Sequence, residues 1–331
     1  MRALVTGGGG FLGHAICRML IAQGWEVRSI QRGDYPALAA MGVESVQGDL
    51  ADAEAVSRAV KGVDTVFHVA AKAGVWGAYE DFYKANVVGT RHVIDACRAH
   101  GVGKLVYTSS PSVVFDGRDM EGADESAPYP SHYENHYSKT KAEAEQLVLA
   151  ANGPALATVA LRPHLIWGPG DNHLVPRIVA RGQAGRLARI GKETKLIDGT
   201  YVDNAALAHL QAEAKLAPGS AVAGKAYFIA NDEPIPVWEM VDRILEAAGA
   251  PKVQRVVSPE LAYAAGWLLE GVYSALKLPG EPMMTRFVAR ELSTAHWFDL
   301  GAARRDFGYT PTVSLEEGLA RLKASFAATS A

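Results

Sequence analysis

Cysteine, excess charge and long apolar runs are all scarce in this chain. The two cysteines of its 331 residues, Cys17 and Cys97, both fall in segments of helical spacing, so no disulfide framework exists and a reducing compartment fits. Thirty-three basic residues against 36 acidic ones leave a net charge of -3, which gives no footprint for nucleic acid. No apolar run reaches the roughly 20 residues of a membrane span. A core strand starting at Arg2 leaves no room for a signal peptide, and a cytoplasmic location is the expectation. None of the ten histidines lies in an HExxH motif or pairs with cysteine at zinc spacing, so no metal is expected. Gly185 to Gly191 followed by Lys192 imitates a P-loop, but Glu193 stands where Ser or Thr is needed.

Glycine is plentiful, and its placement organises the chain. Arg2 to Thr6 reads as a buried strand, and His14 to Gln23 has helical spacing. Between them lies Gly7-Gly8-Gly9-Gly10-Phe11-Leu12-Gly13. Strand, glycine turn and helix in this order make a phosphate site. The glycines let a pyrophosphate approach the backbone, and the helix N-terminus offers unpaired N–H groups. Gly7, Gly10, Phe11, Leu12 and Gly13 are therefore candidate cofactor-binding residues. Gly7-x-x-Gly10-x-x-Gly13 and Gly8-x-Gly10-x-x-Gly13 both fit, so spacing leaves the subtype open.

The second strand, Trp25 to Ile30, ends in Gln31-Arg32 with no carboxylate for a ribose 2′-hydroxyl. Arg32 can present a planar fork to a 2′-phosphate, which favours NADP (as NADPH) over NAD. The bland alternative is a solvated surface arginine. Val43 to Gln47 is a third strand, followed by Asp49-Leu50. Asp49 is either an adenine ligand or a helix cap, and Asp52 is the better cap for Ala53 to Val60. Thr65 to Val69 is followed by the small residues Ala70-Ala71 and by Lys72, at the edge where doubly wound sheets bind ligands. Asn86, inside a helix, is expected to hold a neighbouring main chain.

Lys104 to Ser109 leads to Ser110. Phe115 to Asn135 reads as a surface loop beside the site, and a long helix opens at Tyr137. Thr158 to Arg162 is a sixth strand. This alternation predicts an α/β fold, a doubly wound parallel sheet. Tyr227 to Ala230 looks like a returning strand, and Asp203 a cap for the helix that follows it. Residues 1–163 are thus expected to form a dinucleotide-binding domain, rejoined by about 196–232. Residues 164–195 and 233–331 are expected to form a smaller, interwoven substrate-binding domain. Leu261 to Leu278 is mostly apolar. A buried or half-buried helix is the first reading; a lid over a greasy substrate and a peripheral membrane helix are the alternatives.

Ser110, Tyr137 and Lys141 form the sharpest constellation. Ketone reduction needs a proton delivered to the carbonyl oxygen as hydride reaches its carbon. A phenol can give it, and a nearby ammonium would lower its usual value of about 10. Tyr137 and Lys141 are four apart and share a helical face. A hydroxyl such as Ser110 can hold the substrate oxygen.

These marks, with Asp49-Leu50, Asn86, Thr108-Ser109-Ser110, Arg162-Pro163 and Tyr201-Val202-Asp203, resemble the extended short-chain dehydrogenase/reductases (the Rossmann type) over the whole chain. The resemblance implies that Ser110, with Ser109 as alternative, is the catalytic hydroxyl and that Lys141 meets the nicotinamide ribose. It also places Thr108 in the cofactor site and Pro163, His164 and Leu165 near the nicotinamide. Arg162 to Asp171 and Thr200 to Asn204 resemble the 3β-hydroxysteroid dehydrogenase branch. Ala70 to Gly77 and Arg304 to Tyr309 are more similar still to bacterial olefin-biosynthesis reductases. That family implies NADPH-dependent reduction of a long-chain 2-alkyl-3-oxoalkanoate, a lipid-like small molecule. It also implies assembly with other enzymes of the olefin pathway and a homodimer. Lys72 is then a candidate for the substrate carboxylate. A 3β-hydroxysteroid or sterol dehydrogenase is the alternative; a nucleotide-sugar epimerase and a dinucleotide-sensing regulator fit less well.

Overall fold

A computed structural model describes residues 1–330. Its centre is a seven-stranded, wholly parallel sheet. In chain order the strands are β1 (Arg2–Thr6), β2 (Glu26–Gln31), β3 (Glu44–Gln47), β4 (Thr65–His68), β5 (Lys104–Thr108), β6 (Ala157–Pro163) and β7 (Lys225–Ile229). Their spatial order is β3-β2-β1-β4-β5-β6-β7.

Both faces of this sheet are covered, so its strands read as nearly unbroken apolar runs. Alternation sends Ala3 and Val5 into one core with Ile16 and Leu20, and Leu4 into the other with Val56 and Val93. The strand order reverses between β1 and β4, which opens a crevice at their C-terminal ends. The first helix, Phe11–Ala22, begins there.

The expected capping at Asp52 is present: its carboxylate accepts from the Glu54 and Ala55 amides. Asp203 is not a cap. The helix starts at Val202, and Asp203 sits in its first turn, 2.5 Å from Arg18. Negative charge there suits the helix dipole.

A second, four-stranded sheet runs Ile235–Pro236, Leu196–Ile197, His296–Phe298, Met120–Ala123. The segment from Phe115 to Asn135 is therefore not only a surface loop. Met120–Ala123 pairs in parallel with His296–Phe298, and Phe115 and Met120 are buried. A strand this short has no readable period, and its partner lies far along the chain.

The apolar segment forms the helix Pro259–Leu276, capped by Ser258. Gly266 lets it press on the next helix, Arg286–Glu291; a Cβ there would come 2.6 Å from the Thr285 carbonyl carbon. Glu270 clasps Arg286 through both its amide and its Nε at 2.7 Å. The opposite face is bare: Trp267, Leu268 and Leu276 are 64%, 59% and 66% exposed. The helix is thus half-buried, one of the two forms of the first reading; a sequence apolar on every side does not reveal which face docks. Among the described residues, no helix is long and apolar enough to cross a membrane.

Candidate active site

The glycine turn is built around contacts that only glycine permits. Gly7 has φ +72°. A Cβ on Gly13 would lie 2.2 Å from the Gly7 carbonyl oxygen, so the helix can approach the turn only without a side chain. A Cβ on Gly10 would meet nothing nearer than that oxygen at 3.2 Å, so Gly10 borders open space. Gly10 is also the helix N-cap, and no side chain caps the amides of Phe11 and Leu12 behind it. An anion cradle of the dinucleotide type fits this geometry.

Thr6 ties the turn to its neighbours. Its hydroxyl accepts from the amides of Val69 and Ala70 at 3.0 Å and meets His68 Nδ1 at 2.9 Å. His68 Nε2 reaches the Thr90 hydroxyl at 2.9 Å. Burial pulls the His68 imidazole down to about 3, and the Lys141 charge adds to this, so it stays neutral. Ala70 packs on Gly7, and Ala71 is exposed beside it.

Arg32 stands exposed just beyond β2, and no side-chain partner engages its guanidinium among the described residues. Asp49 is exposed, and its carboxylate accepts from the Ala51 amide at 2.9 Å. Leu50 packs against Gly89. Asn86 holds a neighbouring main chain as expected: its side chain accepts from Lys72 N at 2.7 Å, donates to Lys72 O and also donates to Thr140. It does so from a π-helical stretch, Tyr83–Val88, which the sequence did not disclose. The Lys72 ammonium turns to Asp81 at 3.3 Å and to the Phe82 ring.

The helix His136–Ala150 brings Tyr137 and Lys141 to the end of β5. Asn135 caps it by accepting from Ser138 N at 2.7 Å. Ser110 acts on the Tyr137 phenol, holding it down, and its hydroxyl lies 3.0 Å from that of Ser112, while the Ser109 hydroxyl is buried with no partner. The hydroxyl facing the phenol is thus that of Ser110. Lys141 is buried, and its Nζ donates to the Thr108 carbonyl oxygen at 2.6 Å. Burial pulls this ammonium down to about 7, opposed by Glu145 one turn further on.

One electrostatic expectation is reversed. The Tyr137 phenol lies above its ordinary value, not below it: burial raises it, Ser110 opposes, and Glu291 raises it further. The Lys141 ammonium is directed at Thr108 and at the Tyr107 ring, 4.2 Å from its centroid.

Two carboxylates here escaped the sequence reading. Glu145 forms a buried, two-pronged pair with Arg162, at 3.0 and 2.7 Å. The signal for it was present: Glu145 follows Lys141 by one helical turn, and Arg162 precedes Pro163. Glu291 ends the helix Arg286–Glu291, and no short-range pattern connects it to Tyr137.

At the end of β6, Pro163 and the following His164 are buried; His164 Nδ1 lies 2.9 Å from the Asp198 carbonyl oxygen. Leu165 has φ +39°, a strained value for a branched side chain. The Thr200 hydroxyl helps fix the strained turn by donating to the His164 carbonyl oxygen at 2.7 Å.

The 3-beta hydroxysteroid dehydrogenase/isomerase family profile matches residues 4–259. A 2-alkyl-3-oxoalkanoate reductase from Stenotrophomonas maltophilia is 56% identical, covering 99% of this chain and all of that one. One of the same name from Shewanella oneidensis is 52% identical, over 98% of this chain and 86% of its own. The mouse sterol-4-alpha-carboxylate 3-dehydrogenase, decarboxylating, is 35% identical, over 98% and 91%. Among solved structures, gox2253 superposes with TM-score 0.80 at 27% identity, over 99% and 98% of the two chains. A dTDP-glucose 4,6-dehydratase from Streptomyces venezuelae, DesIV, solved with NAD bound, superposes with TM-score 0.77 at 25% identity, over 99% and 97%.

Proposed function

Because this chain belongs to the 3-beta hydroxysteroid dehydrogenase/isomerase family of extended short-chain dehydrogenases/reductases, we propose that it is an NADPH-dependent reductase of long-chain 2-alkyl-3-oxoalkanoates, forming the 3-hydroxy acid. The observation that carries the chemistry is the Ser110 hydroxyl against the Tyr137 phenol, with Lys141 one helical turn away. The full-length similarity to two reductases of that name supports the substrate class.

In this reading the Gly7–Gly13 turn holds the pyrophosphate on the amides behind Gly10, and the free guanidinium of Arg32 meets the 2′-phosphate. Pro163, His164 and Leu165 bound the nicotinamide end. When bound, the reduced nicotinamide supplies the hydride. Ser110 and Tyr137 hold the ketone oxygen by two hydrogen bonds, and Tyr137 gives it a proton. Lys141, held by Thr108, keeps a positive charge available on the phenol's own helix. The exposed apolar helix offers a surface suited to alkyl chains.

The second reading, a sterol dehydrogenase, is favoured by the family profile and by the mouse relative. One comparison separates them: oxidation of NADPH and NADH with a 2-alkyl-3-ketoacid and with a 3-ketosteroid. Fast NADPH turnover on the ketoacid is expected. Turnover only on the steroid, or a preference for NADH, would overturn the assignment.

A further inference from the structure

A second hydroxyl lies behind that of Ser110. Ser110 is half-buried, whereas Ser112, two residues on, is only 8% exposed. Their side-chain oxygens are 3.0 Å apart, and the Ser112 amide donates to the Ser110 oxygen at 3.3 Å. Among the described residues the Ser112 hydroxyl has no other hydrogen-bond partner. Its place is also fixed by its neighbours. It sits in the single turn Pro111–Val113, where the proline ring locks φ at the first position. Val113 is packed in the core, and its carbonyl oxygen accepts from the Tyr133 phenol at 3.0 Å.

A serine oxygen has two acceptor sites and one proton to give. In Ser110 the Ser112 amide occupies one acceptor site. When the Ser112 hydroxyl occupies the other, the Ser110 proton has one direction left, away from the turn and toward its exposed side. Ser110 holds the Tyr137 phenol down, as an O–H turned that way does. In the opposite order Ser110 would turn its proton to Ser112 and have none for a ketone oxygen. Chained hydroxyls also reinforce each other, since one that accepts a hydrogen bond becomes the better donor.

We infer that Ser112 is a positioning residue for the reduction: its hydroxyl donates to Ser110 and thereby aims the Ser110 proton at the ketone oxygen. Ser112 itself touches neither substrate nor cofactor. Its effect is greatest in the transition state, when negative charge develops on that oxygen and a donor already in place needs no reorganisation. Removing it should therefore act on kcat more than on KM.

The inference rests on the proposed role of Ser110, not on which ketone is reduced. The test is steady-state kinetics of the full-length protein, with whichever ketone it reduces, in Ser112→Ala and Ser112→Cys. Ser112→Ala should lower kcat about 10-fold, with KM for ketone and for NADPH changed less than about twofold. Ser112→Cys leaves no cavity but offers only a weak donor, so it should lose nearly as much. On a Ser110→Ala background, Ser112→Ala should cause no further loss, because it acts only through Ser110. Parental kcat in both Ser112 variants, with turnover lost in Ser110→Ala, would overturn the inference alone. So would losses that add in the double variant, which is the mark of a structural role. Parental turnover in Ser110→Ala would overturn the role of Ser110 in the proposed function, and the inference with it.

Discussion

The Nζ of Lys141 lies 2.6 Å from the carbonyl oxygen of Thr108, so the ammonium is tethered to the last residue of β5. A hydrogen bond to main chain fixes the amino group in place. Lys141→Met should lower kcat/KM about 100-fold or more. Lys141→Arg should not restore it, because a planar fork does not fit a buried site shaped for a compact ammonium. Steady-state kinetics of both variants checks this.

Tyr137→Phe should lose turnover about 100-fold or more while binding the dinucleotide as before. Fluorescence titration with NADPH, run beside the activity assay, tests both halves. Retained turnover would remove Tyr137 as proton donor.

Arg32→Ala should weaken NADPH and leave NADH nearly unchanged. One charge-assisted hydrogen bond is worth about 1.5–3 kcal/mol, so KM for NADPH should rise roughly 10–100-fold. Equal effects on the two cofactors would return Arg32 to the role of a solvated residue.

Gly13→Ala and Gly10→Ala should fail differently. The first drives a Cβ to 2.2 Å from a backbone oxygen and should cost about 1–3 kcal/mol of stability. The second brings its methyl group to 3.2 Å from the Gly7 carbonyl oxygen, a tight approach that a shift of a few tenths of an ångström relieves, so it should cost less stability; it also fills part of the cradle and should weaken NADPH. Thermal melts with and without NADPH separate the two.

Stability should fall steeply in mild acid. His68, His164, His209 and His296 are buried, and burial holds them at about 3, 4, 4 and 3. Unfolded histidine takes up its proton near 6.5. Between about pH 6.5 and 4 the unfolded chain therefore binds protons that the native one refuses, and native stability drops as pH falls. Urea midpoints over that range measure it. His209→Gln, if it folds, should flatten the slope.

The sheet and the Tyr137–Lys141 pair were legible because their signals are local: apolar runs, a glycine turn, and a four-residue spacing. Asn86 and Asp52 were readable for the same reason, since each serves backbone nearby. The second sheet was not, because its strands are two to four residues long and Met120–Ala123 finds its partner only at His296–Phe298. Glu291 was invisible as well. It sits in the helix Arg286–Glu291, far along the chain from the helix that carries Tyr137, and no local pattern connects the two. Which side of Pro259–Leu276 is exposed was not legible, because nothing in its composition distinguishes the docked face from the bare one.

The position of β7 also governs how this chain can be made. Until Lys225–Ile229 has been synthesised, β6, with its Val159 and Leu161, is an open sheet edge. An uncovered apolar edge invites pairing with other nascent chains. On the ribosome, the seven-stranded sheet must therefore wait, unfinished, through the making of the segment between β6 and β7. Any fragment ending before Ile229 should aggregate, however complete its glycine turn and its tyrosine–lysine pair.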